Sequence, residues 1–330
     1  MSNIRLKRCG LFMTVVLGLL SATAAIAQAP AYPSHPIRLI VPSTPGGGPD
    51  IVGRLVAQSL APRLGQIIIE NVAGAAGQVG TLAVVRAAPD GYTLLFAPPS
   101  PISIAENFEP RPPYDAFRDL VPMGLIGRNP ALIVINSNIK AANLREFIAL
   151  AKADPRKFFY GSPGQGNAFH LITELVSGQA GIRMTHVPYK GSGPAVIGLL
   201  AGDVQFLVQS AEAVKEHVKN GRLRALATLE SSRLAAFPDL PTLSESGLAN
   251  LNVMNWYGVF APASTPRSVV ELWERELLAL ARDATFADKM RAMSFDPVAF
   301  DSKTFVQMLA AERTQWRAVI KSAGIDTRKQ

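Results

Sequence analysis

The chain has 330 residues, of which 48% are hydrophobic, with 33 Lys and Arg against 25 Asp and Glu, and a single cysteine. One cysteine excludes a disulfide framework and a cysteine-rich metal site. A net charge of +8 with the charges interspersed and no basic block argues against nucleic-acid binding, and the length is that of about two domains.

The N-terminus carries an export signal. Arg5, Lys7 and Arg8 form a positive region, Leu11 to Leu20 a short apolar run, and Ala25-Ile26-Ala27 a small-residue cleavage pattern. Residues 1–27 therefore read as a signal peptide cleaved after Ala27. Removing its three cations lowers the net charge by three, and the sole cysteine, Cys9, leaves with them. Thiolate catalysis is excluded from the mature chain. No later stretch supplies the roughly 18 uninterrupted apolar residues of a membrane helix.

Strand and helix signals then alternate. Ile37 to Val41 reads as a strand, Pro42 to Asp50 as a glycine- and proline-rich turn, and Ile51, Val52, Leu55, Val56 and Leu60 recur at helical spacing, with Asp50 placed at the first turn. A strand at Ile67 to Ile69, a second glycine-rich loop at Gly74 to Gly80, a helix at Thr81 to Ala88 and a strand at Tyr92 to Phe96 follow. The alternation predicts a parallel sheet covered by helices on both faces. The proline-rich segment Ala97 to Pro122 reads as a wrapping loop with one short helix near Ile102 to Phe108.

From Ala131 the alternation restarts. Strands are expected at Leu132 to Ile135, Phe158 to Tyr160, Met184 to Val187, Val204 to Val208 and Leu223 to Thr228, with helices at Asn143 to Ala153, Asn167 to Gly178, Pro194 to Leu200 and Ala211 to Lys219. Pro238 to Leu251 reads as a connection. A strand at Trp256 to Phe260 and helices at Ser268 to Arg282, Phe286 to Met293 and Lys303 to Ser322 complete the chain. A lone strand followed by helices does not build a third core, so it is expected to return to the first domain. The prediction is an α/β protein of two lobes, 28–130 with 253–330 and 131–252, joined by two crossing strands near 130 and 252.

Three glycine-rich turns precede helices: Gly46, Gly47 and Gly48 before Asp50; Gly161 to Asn167, with Ser162, Gly164, Gln165 and Gly166; and Gly191-Ser192-Gly193. Taken alone, a glycine turn only connects two elements. Three of them, on two lobes and at the carboxyl ends of strands, put helix N-termini where open α/β folds hold ligands. Each favours an anion by about 0.3 to 1 kcal/mol at the surface. The P-loop, G-x-G-x-x-G, G-x-S-x-G and H-E-x-x-H patterns are all absent. The histidines 35, 170, 186 and 217 stand singly, so neither a metal site nor a cofactor is expected. His170 either has a role in the cleft or ties the Gly161 loop to its helix by a structural hydrogen bond, and His186 reads as a packed strand residue. Trp256 and Tyr257 either line the cleft or pack in the hinge, whereas Trp273 and Trp316 read as core. The charges from Glu312 to Arg317 read as a solvated helix face.

The chain resembles the Bug-type periplasmic solute-binding proteins, the extracytoplasmic receptors of the tripartite tricarboxylate transporter family. The resemblance rests on Pro42 to Asp50, Leu64-Gly65-Gln66, Gly74 to Gly77, Ala87-Ala88-Pro89-Asp90-Gly91-Tyr92, Pro113-Tyr114-Asp115, Gly161 to His170, His186 to Ser192, Leu223 to Ala227, Pro238 to Thr242 and Gly258 to Pro262. It implies a two-lobed, Venus-flytrap binding protein of type II-like topology in the periplasm. The implied partners are a small organic carboxylate and integral-membrane transporter subunits, and the receptor is expected to be a monomer that is not an enzyme. The family's grip on a carboxylate falls on Ser43, Thr44, Gly46, Gly47, Gly48 and Asp50 in one lobe and on Ser162, Gly164, Gln165, Gly166, Asn167, Ala168 and His170 in the other. Ser100, Tyr189, Lys190, Gln209, Ser210 and Trp256 complete the expected ligand-binding set.

Departures from the family pattern bear on the ligand. Gly48-Pro49 removes a hydroxyl from the first loop, and Pro98-Pro99-Ser100-Pro101 stiffens one wall. Gln209-Ser210 stand where an acid with Asn is common, which predicts a carboxylate without an ammonium group, with an apolar or aromatic body. The alternatives are a secreted cleft hydrolase or isomerase with His170 as base, and a ligand sensor for a signalling partner.

Overall fold

The computed structural model describes residues 32–108, 110–155, 157–249, 251 and 254–322. The signal peptide, its cleavage point and the link at 252–253 lie outside the described residues. The strands are β1 (Ile37–Val41), β2 (Ile67–Asn71), β3 (Thr93–Ala97), β4 (Leu120–Arg128), β5 (Ala131–Asn136), β6 (Phe159–Ser162), β7 (Thr185–Pro188), β8 (Phe206–Ser210), β9 (Leu223–Thr228) and β10 (Trp256–Pro262). The α-helices are α1 (Gly48–Leu64), α2 (Gln78–Val85), α3 (Ala116–Asp119), α4 (Leu144–Ala153), α5 (Ala168–Ala180), α6 (Ser192–Ala201), α7 (Ala211–Lys219), α8 (Arg267–Ala281), α9 (Ala284–Ala292) and α10 (Ser302–Ser322).

Two five-stranded sheets result, ordered β2-β1-β3-β10-β4 and β7-β6-β8-β5-β9. They share one plan. Three strands lie parallel, and a fourth runs antiparallel between them and the edge: β10 between β3 and β4, and β5 between β8 and β9. The sheets are therefore mixed, which corrects the expectation of a parallel sheet. The reason is connectivity: β10 reaches the first sheet only after the chain has traversed the second, and it enters head-down.

Strand β4 corrects the sequence reading too, because the wrapping loop was drawn through Pro122 and no strand was expected there. Pro122, Gly124 and Gly127 weaken its strand propensity, but β4 is an edge strand, where proline costs no ladder bond. Helix α9 packs directly on Gly127. A Cβ there would lie 2.7 Å from Met290 Cε.

Both faces of the second sheet are covered. One carries Ile133, Phe147, Leu171, Val176, Phe206 and Val208, the other Leu132, Val134, Ala195, Leu199, Leu207 and Val214. Helix α10 links the two cores. Phe305 and Leu309 near its start belong to the cluster of Ile40, Leu95, Trp256 and Phe260, while Trp316, Val319 and Ile320 near its end belong to the cluster of Phe147 and Phe206. Trp273 and Trp316 are core residues, as expected.

Glu312 lies between those two apolar ends and is buried, which corrects its reading as part of a solvated face. Its carboxylate accepts hydrogen bonds from Trp256 Nε1 (3.0 Å) and Ser103 Oγ (2.9 Å). Burial pushes its pKa up from 4.5 to about 7, against the opposing pull of those donors. The folded state thus holds this proton more tightly than the unfolded chain. The stability contributed by protonated Glu312 is present below pH 4.5 and is lost as pH rises through about 7. Glu312→Gln is expected to flatten the fall of Tm across that window and to raise Tm at higher pH, measured by thermal unfolding over a pH series.

A second expectation concerns Gly258 in β10. A Cβ there would lie 2.5 Å from the Phe305 ring, which is itself held against Trp256 (5.0 Å between ring centres) and Phe260 (5.3 Å). Gly258→Ala should therefore cost about 1–3 kcal/mol, as overpacked cores do, measured by urea unfolding.

Candidate functional site

The turns that follow β1, β6, β7 and β8 carry the candidate residues. After β1, Gly46 adopts φ 78° and Gly47 starts α1 in an extended conformation, without a side-chain cap. The N–H of Gly46 donates to Asp50 Oδ2 (2.9 Å) and that of Gly47 to Thr44 O (3.3 Å). Both bonds close the turn on itself. Asp50 is buried and also accepts from Asn71 Nδ2 (3.0 Å) and Arg54 (2.9 Å). Burial alone would raise its pKa, but the bonds from Arg54, Gly46 and Asn71 outweigh it and hold the carboxyl below its usual range. Asp50 thus braces the turn with a permanent negative charge. Ser43 and Thr44 occupy the outer part of the same turn.

After β6, Asn167 caps α5 by accepting from Phe169 N–H (2.9 Å). Ser100, from the turn after β3, reaches this cap: its Oγ is 3.4 Å from both Asn167 Nδ2 and Ala168 N. Ser162 Oγ is buried, 2.7 Å from His186 Nε2, and accepts from Gly164 N–H (3.2 Å). Gly166 N–H donates to His170 Nδ1 (3.2 Å), and Gln165, just before Gly166, is half-buried. His170 stacks on His186 with ring centres 4.1 Å apart, and His186 on Tyr160 at 4.8 Å. Burial lowers the His186 pKa to about 4. Burial, with His186 beside it, lowers His170 to about 3. Both rings are neutral, and His170 is the hydrogen-bond acceptor that ties the loop to its helix. A general base works best with a pKa near the operating pH, and His170 is far below it.

After β7, the ring of Tyr189 packs over Gly161 and Gly198, against β6 and α6, and Lys190 is exposed. Gly191 faces the first turn, where a Cβ would lie 3.7 Å from Thr44 Oγ1. Gln209 and Ser210 are buried at the end of β8. Gln209 Oε1 accepts from Ser210 N–H (2.9 Å) and lies 3.4 Å from Ser192 Oγ, and its Nε2 has no partner among the described residues. Trp256, by contrast, belongs to the core, with Nε1 bonded to Glu312. It does not line a cleft.

A cavity of about 810 Å³ opens between the turns after β1, β7 and β8, and the Gly161–His170 turn does not line it. Thr44 and Gly46 to Gly48 line it from the first sheet's side, and Ser192 to Pro194 with Glu212 from the second's, over an apolar wall that includes Ile51 and Ile197. Ile197 is 67% exposed, a large apolar side chain presented to solvent. Sequence reasoning missed Glu212 and Asn129. Glu212 stands in the first turn of α7, directly after β8, the same relation that drew attention to Asp50 after β1.

The profile of the family described as Tripartite tricarboxylate transporter family receptor matches residues 52–325. The chain is 36% identical to Protein BugT of Bordetella pertussis over 317 residues, covering 94% of this chain and 97% of that protein. An R. palustris protein solved with adipate superposes with a TM-score of 0.85 at 30% identity, over 89% of this chain and 99% of the other. MatC from Rhodopseudomonas palustris, solved with bound malate, gives 0.80 at 26% identity, over 88% and 100%. With matching sheets, turns and sequence over nearly its whole length, the chain belongs to the receptor family of the tripartite tricarboxylate transporters.

Proposed function

We propose that the protein captures a small organic carboxylate between two lobes, 28–130 with 253–330 and 131–252, and delivers it to membrane subunits of a tripartite transporter. The observation that carries this reading is the cavity lined from both sheets by turns at the carboxyl ends of parallel strands. Helix N-termini at such turns favour anions. Closure about the crossing segments is driven by ligand contacts made to both lobes at once. The adipate and malate held by the two R. palustris relatives support a dicarboxylate of similar length. Export by the N-terminal signal, with cleavage after Ala27, delivers the receptor to the periplasm as a monomer. It releases its ligand unchanged, in keeping with a His170 that is buried, neutral and already accepting a hydrogen bond.

Adipate, malate and related carboxylates should raise the Tm of the purified protein. At a hundredfold excess over Kd the gain is about 2.7 kcal/mol. Gly193 lines the cavity and has open space where a Cβ would stand. Gly193→Val is therefore expected to leave the ligand-free Tm nearly unchanged and to reduce the ligand-induced rise. If no carboxylate shifts Tm, or if the ligand is recovered chemically altered after incubation, the reading fails. An unaffected Gly193→Val variant would move the site away from this cavity.

A further inference from the structure

Gly48 begins α1 where four elements meet. A Cβ on it would collide with the Tyr257 hydroxyl of β10 and stand 3.0 Å from Asn129 Nδ2 and 3.1 Å from Glu212 Oε1. Asn129 lies in the crossing between β4 and β5, and Glu212 in the first turn of α7. Asn129 Nδ2 donates to Tyr257 Oη (2.7 Å), which fixes the amide, yet Asn129 Oδ1 is buried without a partner. Glu212 lines the cavity, and its Oε2 is likewise buried without a partner. Among the described residues no ion pair neutralises it. Arg54 is paired with Asp50 and Arg128 with Glu230 and Asp296, and Arg222 also lines the cavity.

We infer that Glu212 and Asn129 form a subsite for a protonated amine on the carboxylate ligand, so that the preferred ligand is an amino acid and not a simple dicarboxylate. The inference rests on the carboxylate reading above and specifies the chemistry of the same cavity. The Glu212 and Asn129 side chains both approach Gly48, and each has one buried acceptor without a partner. An ammonium brings three donors and no acceptor, whereas a hydroxyl brings one donor and no charge. An unpaired buried carboxylate is costly, and burial pushes the Glu212 carboxyl up even though Ser210, Asn129 and the backbone N–H groups of Glu212 and Ala213 favour the ionised form. A cation at this place relieves that cost. The absence of an acid at Gln209-Ser210 argued from sequence against an amine. The helix that follows supplies an acid two residues later.

The test compares ligand pairs that differ only in the amine, succinate with aspartate, glutarate with glutamate and adipate with 2-aminoadipate, by calorimetric titration of the full mature chain. The aminated member is expected to bind at least tenfold more tightly in at least one pair. Glu212→Gln should abolish that ratio while leaving the affinity for the unaminated member within about threefold. Equal or weaker binding of every aminated member overturns the inference and leaves the carboxylate reading standing, as does a ratio that Glu212→Gln leaves intact. Failure of both series removes the carboxylate reading and the inference with it. Should Glu212→Gln not fold, the wild-type ratio decides together with Asn129→Leu, which removes the second acceptor and should lower the ratio.

Discussion

The N–H of Asn129 donates to the carbonyl of Asn255 at 2.7 Å, which binds together the two places where the chain passes between its sheets. The architecture follows from this double crossing. Strand β4 ends one sheet and β5 opens the other after only Asn129 and Pro130, and the return delivers β10 into the interior of the first sheet. Because each sheet receives a strand from the opposite direction, both are mixed. The crossing also carries charge: Arg128, the last residue of β4, pairs with Glu230 beyond β9 (3.3 Å) and with Asp296 beyond α9. Asn129 then stands beside Gly48, Tyr257 and Glu212, so the segment that joins the sheets also touches two residues of the cavity wall, Gly48 and Glu212.

Helix α10 is the second tie. It sets Phe305 in one core and Trp316 in the other, with the buried Glu312 between them bonded to Trp256 and Ser103. At about 1.5 Å per residue its 21 residues span about 31 Å. An acid at that point lowers the stability of the folded state near neutral pH, since its pKa is raised by burial. The same residue satisfies the Trp256 N–H, which would otherwise be an orphaned donor in an apolar core.

The turns around the cavity divide into braces and contact surfaces. Asp50, Ser162, His170 and Asn167 spend their polar atoms on their own loops. That bonding holds the backbone of each turn in one shape before any ligand arrives, and preorganisation of this kind lowers the ordering cost of binding. The atoms left without partners, on Glu212, Asn129 and Gln209, lie elsewhere, at the end of β8, the start of α7 and the crossing.

Much of the fold was legible in the sequence because local chemistry dictated it. A run such as Ala131–Asn136 is buried at every position, as an interior strand is, and Asn143, Asn167 and Asp283 mark helix starts by side-chain caps. The order of motifs along the chain determined the family. Tertiary structure decided what depends on partners distant in sequence. Strand β4 exists despite its proline and glycines because β10 supplies its ladder, and Glu312 is buried because it stands on the apolar side of a helix laid across two cores. His170 braces its loop by accepting from Gly166 N–H, stacked on His186, and Trp256 became core through its packing on Phe305. The acid at the cavity was hidden for the same reason: Glu212 reaches Gly48 only after the crossing has folded, and neither residue lies near the other in the chain.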